Sequence, residues 1–236
     1  MFILSRIRTV LKWMVVAFFG STILSVVALR FIPVYYTPLM FIRLAQQMKQ
    51  GKELRLHHHW VPLEDISPYL PQAVMASEDQ RFLMHHGFDF QAIENAAKNN
   101  MRHNSKRKLG ASTISQQTAK NVFLWPGRTW VRKGLEAYFT TLIELMWSKQ
   151  RIMEVYLNSI EMGDGIYGAD AVAEHHFDCN ADELTKSQCA LIAATLPNPL
   201  KYDSSDPSPY INKRKYHILR EMKYVKKLPQ DGEDTE

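Results

Sequence analysis

The sequence predicts an all-α, or at least mainly α, protein preceded by one membrane-spanning helix. Three observations carry that expectation. Leu, Ala, Met, Gln, Lys and Glu dominate the 236 residues, glycine and proline number only 10 and 11, and β-branched alternation is nearly absent. Leu135, Tyr138, Phe139, Leu142, Ile143 and Met146 recur at i, i+3, i+4, i+7, i+8 and i+11, one face of a long core helix. Trp13 to Leu29 is an uncharged apolar run. The length suits such an anchor plus one domain of about 180 to 200 residues.

Taken in order, residues 1–12 form a short basic N-terminus and residues 13–32 the anchor. The run from Trp13 to Leu29 spans about 26 Å as a helix, a little less than a bilayer core of about 30 Å. Phe31 and Ile32 extend it past Arg30, whose stem can snorkel. Arg6, Arg8 and Lys12 precede the run and Arg30 alone closely follows it, which places the N-terminus in the cytoplasm. A cleavable signal peptide is the rival reading, but the run exceeds the usual apolar region of about 7 to 15 residues. Residues 33–56 stay apolar at first, yet Pro33 and Pro38 argue against a continued span. A segment at the membrane surface or packed under the domain is expected there.

The main domain is assigned to residues 57–227. His57, His58 and His59 open it; alternating side chains on a strand cannot aim all three at one metal ion. A short helix follows over Ile66 to Ser77, carrying Glu78 at its end. Asp89 is placed to cap a helix over Phe90 to His103. Arg102 to Lys108 is a basic connector. Thr113 and Gln116 match a capping box, so a helix is expected to start there and run to about Phe123. The long helix from Arg132 leaves Glu136 at the margin of its apolar stripe. Further helices are expected over Gln150 to Ile160, Ala169 to Phe177, Asp182 to Thr195 and Tyr210 to Lys227. Residues 228–236 form an acidic tail expected to be disordered.

The net charge of +5 and a pI near 9.1 suit anionic lipid head groups or a phosphate-bearing substrate. No nucleic-acid-binding signature is present, so nucleic acid is not expected as a partner. Cys179 and Cys189, the two cysteines, offer no metal spacing and at most one disulfide.

Chemistry concentrates in three stretches. Glu78 and Asp79 end an apolar run and are followed by Phe82, His86 and the Gly87-x-Asp89 turn. Gly110 to Asn121 is dense in hydroxyls and amides and holds Lys120. Arg128, Arg132, Lys133 and Glu136 follow in quick succession. Glycosyl transfer to a sugar hydroxyl needs a base for the hydroxyl proton and, with a diphosphate leaving group, cations to hold the developing charge. Glu78 fits the first need, although a helix-end surface carboxylate is the plain alternative. Arg132 and Glu136 have the i, i+4 spacing of an ordinary helix pair, but Arg preceding Glu is the weaker orientation. One capping box explains Thr113 and Gln116 and leaves Ser112 and Gln117 free.

These residues resemble the family 51 peptidoglycan glycosyltransferases. Glu78-Asp79-x-x-Phe82 with His86 and Gly87-x-Asp89 is similar to the family's first motif, and the stretch Gly110 to Asn121 to its second. Arg132-Lys133-x-x-Glu136 resembles the third. The fourth is matched by Ser148-Lys149-x-x-Ile152-x-x-x-Tyr156-Leu157-Asn158 with Gly163 and Tyr167-Gly168, and the fifth by Ala190 to Leu200. All five occur in order over residues 60 to 205. Thr118 and the loop around Cys179 depart from the pattern without replacing a chemical residue.

The resemblance implies a lysozyme-like helical domain with a smaller membrane-facing lobe. It implies polymerisation of lipid II, an undecaprenyl-diphospho-disaccharide peptide, into β-1,4 glycan with inversion. Glu78 then deprotonates the acceptor hydroxyl, and Glu136 sits near the leaving group as a second catalytic residue. Asp79, Phe82, Ser112, Thr113, Gln116, Gln117, Lys120, Asn121, Arg128, Arg132 and Lys133 line the substrate site. No cofactor is required, and Glu136 is the carboxylate placed to hold a divalent cation such as Mg on the diphosphate. Expected partners are lipid II, the growing lipid-linked glycan, the membrane, and cell-wall synthesis or cell-division proteins. The expected location is the bacterial inner membrane, single-pass, with the catalytic domain periplasmic. The resemblance is to the monofunctional form, so the cross-linking activity of bifunctional penicillin-binding relatives is not expected. Two other readings remain at this stage: a lysozyme-like hydrolase, which has less need of the cations, and a membrane-anchored scaffold, for which Glu78 is dispensable.

Overall fold

The computed structural model describes residues 2–102 and 111–229. The basic connector beyond Arg102 and the acidic tail from Gln230 lie outside the described residues. Helix α1, Phe2–Leu29, begins well before the apolar run, because Arg6, Arg8 and Lys12 are good helix formers that continue it. Among the described residues it is the one helix long and apolar enough to cross a membrane, over Ser5–Leu29. Helix α2, Pro38–Lys49, starts at a proline tolerated in the first turn, with Thr37 accepting a bond from the Met40 amide.

Helices α3 (Tyr69–Glu78), α4 (Phe90–Arg102), α5 (Ile114–Phe123), α6 (Trp130–Met146) and α7 (Lys149–Ser159) follow the expected order. So do α8 (Ala169–Phe177), α9 (Lys186–Thr195) and α10 (Pro209–Glu221). Helix α3 begins at Tyr69 rather than Ile66, α7 at Lys149 rather than Gln150 because Ser148 caps it, and α10 ends at Glu221 rather than Lys227. Three more starts shift for a local reason. Thr129 caps α6 two residues earlier than read, Thr185 and Gln188 form a capping box that delays α9, and Ser208 caps α10.

Around α9, every residue from Cys189 to Thr195 is buried, and the helix packs against α3 and α10. On the other side α5 packs against α6, α7 and α2. Ile152, Met153, Val155, Tyr156 and Leu157 of α7 are fully buried in the core. Cys179 and Cys189 are free thiols, and burial pushes Cys189 up to about 12, so it is inert at neutral pH.

A small sheet interrupts the helices. Strands β1 (His57–His58), β2 (Glu161–Gly163) and β3 (Ile166–Tyr167) are ordered β1-β3-β2, with β1 parallel and β2 antiparallel to β3. The histidines diverge as alternation requires: His57 stacks on His175, His58 bonds the Asn158 carbonyl, and His59 faces Asp170. Gly168 leads into α8 at φ +87°, where a Cβ would stand 2.8 Å from the Asn158 carbonyl oxygen.

The end of α1 is docked on the domain. Thr22 bonds the Tyr138 hydroxyl at 2.8 Å, Trp147 donates its indole N–H to the Val26 carbonyl at 2.8 Å, and Val26 is fully buried. Arg151 donates to the otherwise unpaired carbonyls of Leu29 and Ile32, at 2.8 and 2.6 Å.

Candidate active site

Glu78 is the last residue of α3, and Asp79 leaves the helix with an extended backbone. Both oxygens of Asp79 are taken. They lie 2.9 and 3.1 Å from His85 Nε2, and Oδ2 also accepts the Ile114 amide at 3.0 Å, tying the end of α3 to the start of α5. This junction leaves the neighbouring Glu78 half-buried in the wall of a cleft.

Two groups hold the Glu78 carboxylate. Ser77 Oγ lies 3.2 Å from Oε1, and Gln117 Nε2 donates to Oε2 at 3.2 Å. The orientation of Gln117 is fixed from below, where the Tyr156 hydroxyl donates to its Oε1 at 3.3 Å. Burial first, then the negative charges of Glu78 and Asp79, push the Tyr156 phenol well above its ordinary range. It therefore stays protonated, and the amide nitrogen of Gln117 is left for Glu78.

The first cleft, about 380 Å³, is lined by Glu78, Asn95, Ser112 and Thr113 among others. Ser112 is exposed to it, and its polar lining suits a sugar. The second, about 400 Å³, is lined by Gln117, Lys120, Asn121, Arg128 and Arg132. It is an anion site by charge. Neither Lys120 nor Arg128 has an ion pair or side-chain hydrogen bond among the described residues. Burial pulls Lys120 below the usual lysine range, Arg132 and Lys133 pull the same way, and Glu136 and Glu78 oppose them. Arg132 Nε is buried without a partner, an unused donor beside the cleft.

Several residues grouped with the substrate by sequence have structural partners instead. Phe82 is fully buried, with the Lys149 ammonium 4.5 Å from its ring centre. Gln116 accepts the Thr113 amide in the capping box, while Thr113 Oγ1 accepts the Gln116 amide and donates to the Gly87 carbonyl at 2.7 Å. Asp79 is saturated by His85 and Ile114. Glu136 is buried, not marginal: Arg132 Nη1 donates to its Oε2 at 2.7 Å and Lys133 Nζ to its Oε1. With both oxygens on cations it has no free edge for a divalent ion, and the fit to Mg is poor. It holds Arg132 and Lys133 in place.

The first motif needs one correction. His86 is exposed, and His85, three residues after Phe82, is the buried partner of Asp79. The turn Phe82 to Met84 brings His85 back beneath α3. Asp89 does cap α4, accepting the Ala92 amide at 2.9 Å and pairing with Arg81. Asp79, His85 and Asp89 have ligand atoms within 4.8 Å of one another; both carboxylates and His85 Nε2 are engaged by these bonds, while His85 Nδ1 is buried with no hydrogen-bond partner among the described residues. Tyr156, which orients Gln117, was missed as a site residue. Its place in the fourth motif was the available signal.

The helical domain, the Glu78 carboxylate in a polar cleft beside a cationic one, and the ordered motifs define a glycosyl-transferring enzyme with a lysozyme-like fold. The Transglycosylase family model matches residues 45–223. Relatives named biosynthetic peptidoglycan transglycosylase include a protein of Bacteroides thetaiotaomicron, 59% identical over 94% of this chain and 90% of its own length. Others come from Bdellovibrio bacteriovorus, 52% identical over 92% and 88%, and Caulobacter vibrioides, 50% identical over 90% of each. The chain belongs to this family, the biosynthetic peptidoglycan transglycosylases, and is a glycosyltransferase.

Proposed function

We propose that the chain polymerises lipid II, transferring lipid-linked disaccharide-peptide units into β-1,4 glycan and releasing undecaprenyl diphosphate. The observation that carries this reading is Glu78 in the wall of a polar cleft, bonded to Gln117 of a second cleft that gathers Lys120, Arg128 and Arg132. The acceptor sugar occupies the first cleft beside Ser112. Glu78 takes the proton from its 4-hydroxyl, the oxygen attacks the donor's anomeric carbon, and the bond from that carbon to the diphosphate oxygen breaks with inversion. The electron pair leaves on the diphosphate, which Lys120, Arg128 and Arg132 receive in the second cleft. Gln117 holds Glu78 in line, and Glu136 positions Arg132 and Lys133 rather than touching substrate. No metal or cofactor enters the step, since side-chain cations take the charge.

The apolar helix α1 and the excess of Arg and Lys before it support a single-pass protein of the inner membrane, N-terminus inside and catalytic domain in the periplasm. The membrane and the growing lipid-linked glycan are its immediate partners. Cell-wall synthesis or division proteins are the protein partners to seek. The 33–56 segment and the lobe around α6 face the lipid.

The test uses purified full-length protein with labelled lipid II. Glycan polymer that lysozyme digests to disaccharide, with undecaprenyl diphosphate released in equal amount, is the expected result. Soluble fragments released from cell-wall sacculi, without polymer, would turn the assignment to a hydrolase.

A further inference from the structure

Arg43 lies on α2, in the membrane-proximal segment and two residues before the family match begins at residue 45. The structure nevertheless places it in the wall of the second cleft, together with Lys120, Arg128 and Arg132. Its guanidinium is gripped from behind. Nε and Nη2 both face Glu161 Oε2, at 3.2 and 3.1 Å, and Nη1 donates to Gln46 Oε1 at 3.1 Å. Glu161 is buried on β2, and its other oxygen accepts the Tyr167 hydroxyl at 3.2 Å. Burial pushes the Glu161 carboxyl up and Arg43 pulls it back.

A buried carboxylate on the floor of an anion cleft is unfavourable unless it does something else there. It fixes a planar fork in the cleft wall that keeps two N–H bonds unused, because a guanidinium carries five donors and these contacts use three. Helix α2 also packs directly on α5, which carries Gln117 and Lys120.

We propose that Arg43, oriented by Glu161, is a further substrate-binding residue that contacts the diphosphate of the lipid-linked substrate. This makes the membrane-proximal helix a wall of the active site. The proposal rests on the diphosphate reading of the second cleft.

The experiment measures binding of a short polyprenyl diphosphate and of the matching neutral polyprenol to full-length protein in detergent micelles. Because Arg43→Ala alone strands the buried Glu161, the decisive variant is Arg43→Ala with Glu161→Gln. That pair removes one charge of each sign, so the net charge of the cleft is unchanged while the direct contact is lost. Diphosphate affinity should fall by about tenfold or more, the range for a hydrogen bond to a charged group, with polyprenol affinity unchanged. Arg43→Lys should recover part of the loss, keeping the charge but not the fork. If the double variant binds diphosphate like wild type while Lys120→Met does not, this inference falls and the proposed function stands. If wild type binds diphosphate no better than polyprenol, both fall.

Discussion

Lys120→Met is expected to move activity and stability in opposite directions. Methionine keeps an apolar stem of similar length but removes the ammonium. That ammonium has no hydrogen bond or ion pair among the described residues, and burial holds its pKa below the ordinary lysine value of 10.5. On the catalytic side, losing one preorganised group aimed at transition-state charge costs about 100- to 1000-fold in kcat, or about 2.7–4 kcal/mol. On the stability side, an unpartnered charge is taken out of a desolvated position, so the thermal midpoint should rise. The pH dependence gives a second check. With the folded pKa below the unfolded one, the unfolded chain binds more protons between the two values. Wild-type stability therefore rises with pH across that window, approaching 10.5 from below. Lys120→Met should abolish this rise. The assays are polymerisation kinetics and thermal melts in one detergent at several pH values. A variant that loses activity and melts at a lower temperature would refute the reasoning, because Lys120 would then be a structural residue.

Three further outcomes follow from specific contacts. Tyr156→Phe removes the donor that fixes Gln117, and kcat should fall about five- to tenfold with KM unchanged, the worth of one neutral hydrogen bond; a wild-type kcat would show that Gln117 needs no such guide. Gly87→Ala should lower stability by more than about 1 kcal/mol in denaturant titration, because φ is +87° and the new Cβ would stand 2.8 Å from Thr140 Cγ2. Arg151→Ala frees the Leu29 and Ile32 carbonyls, and limited proteolysis after Arg30 should quicken about tenfold, whereas an unchanged rate would mean that Trp147 and Tyr138 alone dock the anchor.

What could be read from sequence was local. The capping box at Thr113 and Gln116, the Asp89 cap and the apolar stripe of α6 depend on residues three or four apart, and each has its counterpart in the structure. The motif order likewise pointed to the family. Long-range geometry was not legible. Gln117 meets Tyr156 only because α5 packs on α7, and Arg43 meets Glu161 only because α2 folds back beneath the domain. The strands are two or three residues long, too short for any periodicity. Glu136 was misplaced because a helical stripe counts apolar residues, whereas its burial comes from the cations around it. His86 was preferred to His85 because adjacent residues of one type differ only in the direction the turn gives them.

The central claim is that Glu78 is the base of a polymerase, and the most direct measurement is the rate of Glu78→Gln beside wild type on labelled lipid II. The amide preserves shape but cannot accept the acceptor's proton, so kcat should fall by about 100-fold to 10,000-fold, the usual contribution of a positioned base. Binding of the polyprenyl diphosphate should not weaken. Polymer formed at the wild-type rate by a folded Glu78→Gln protein would contradict the account.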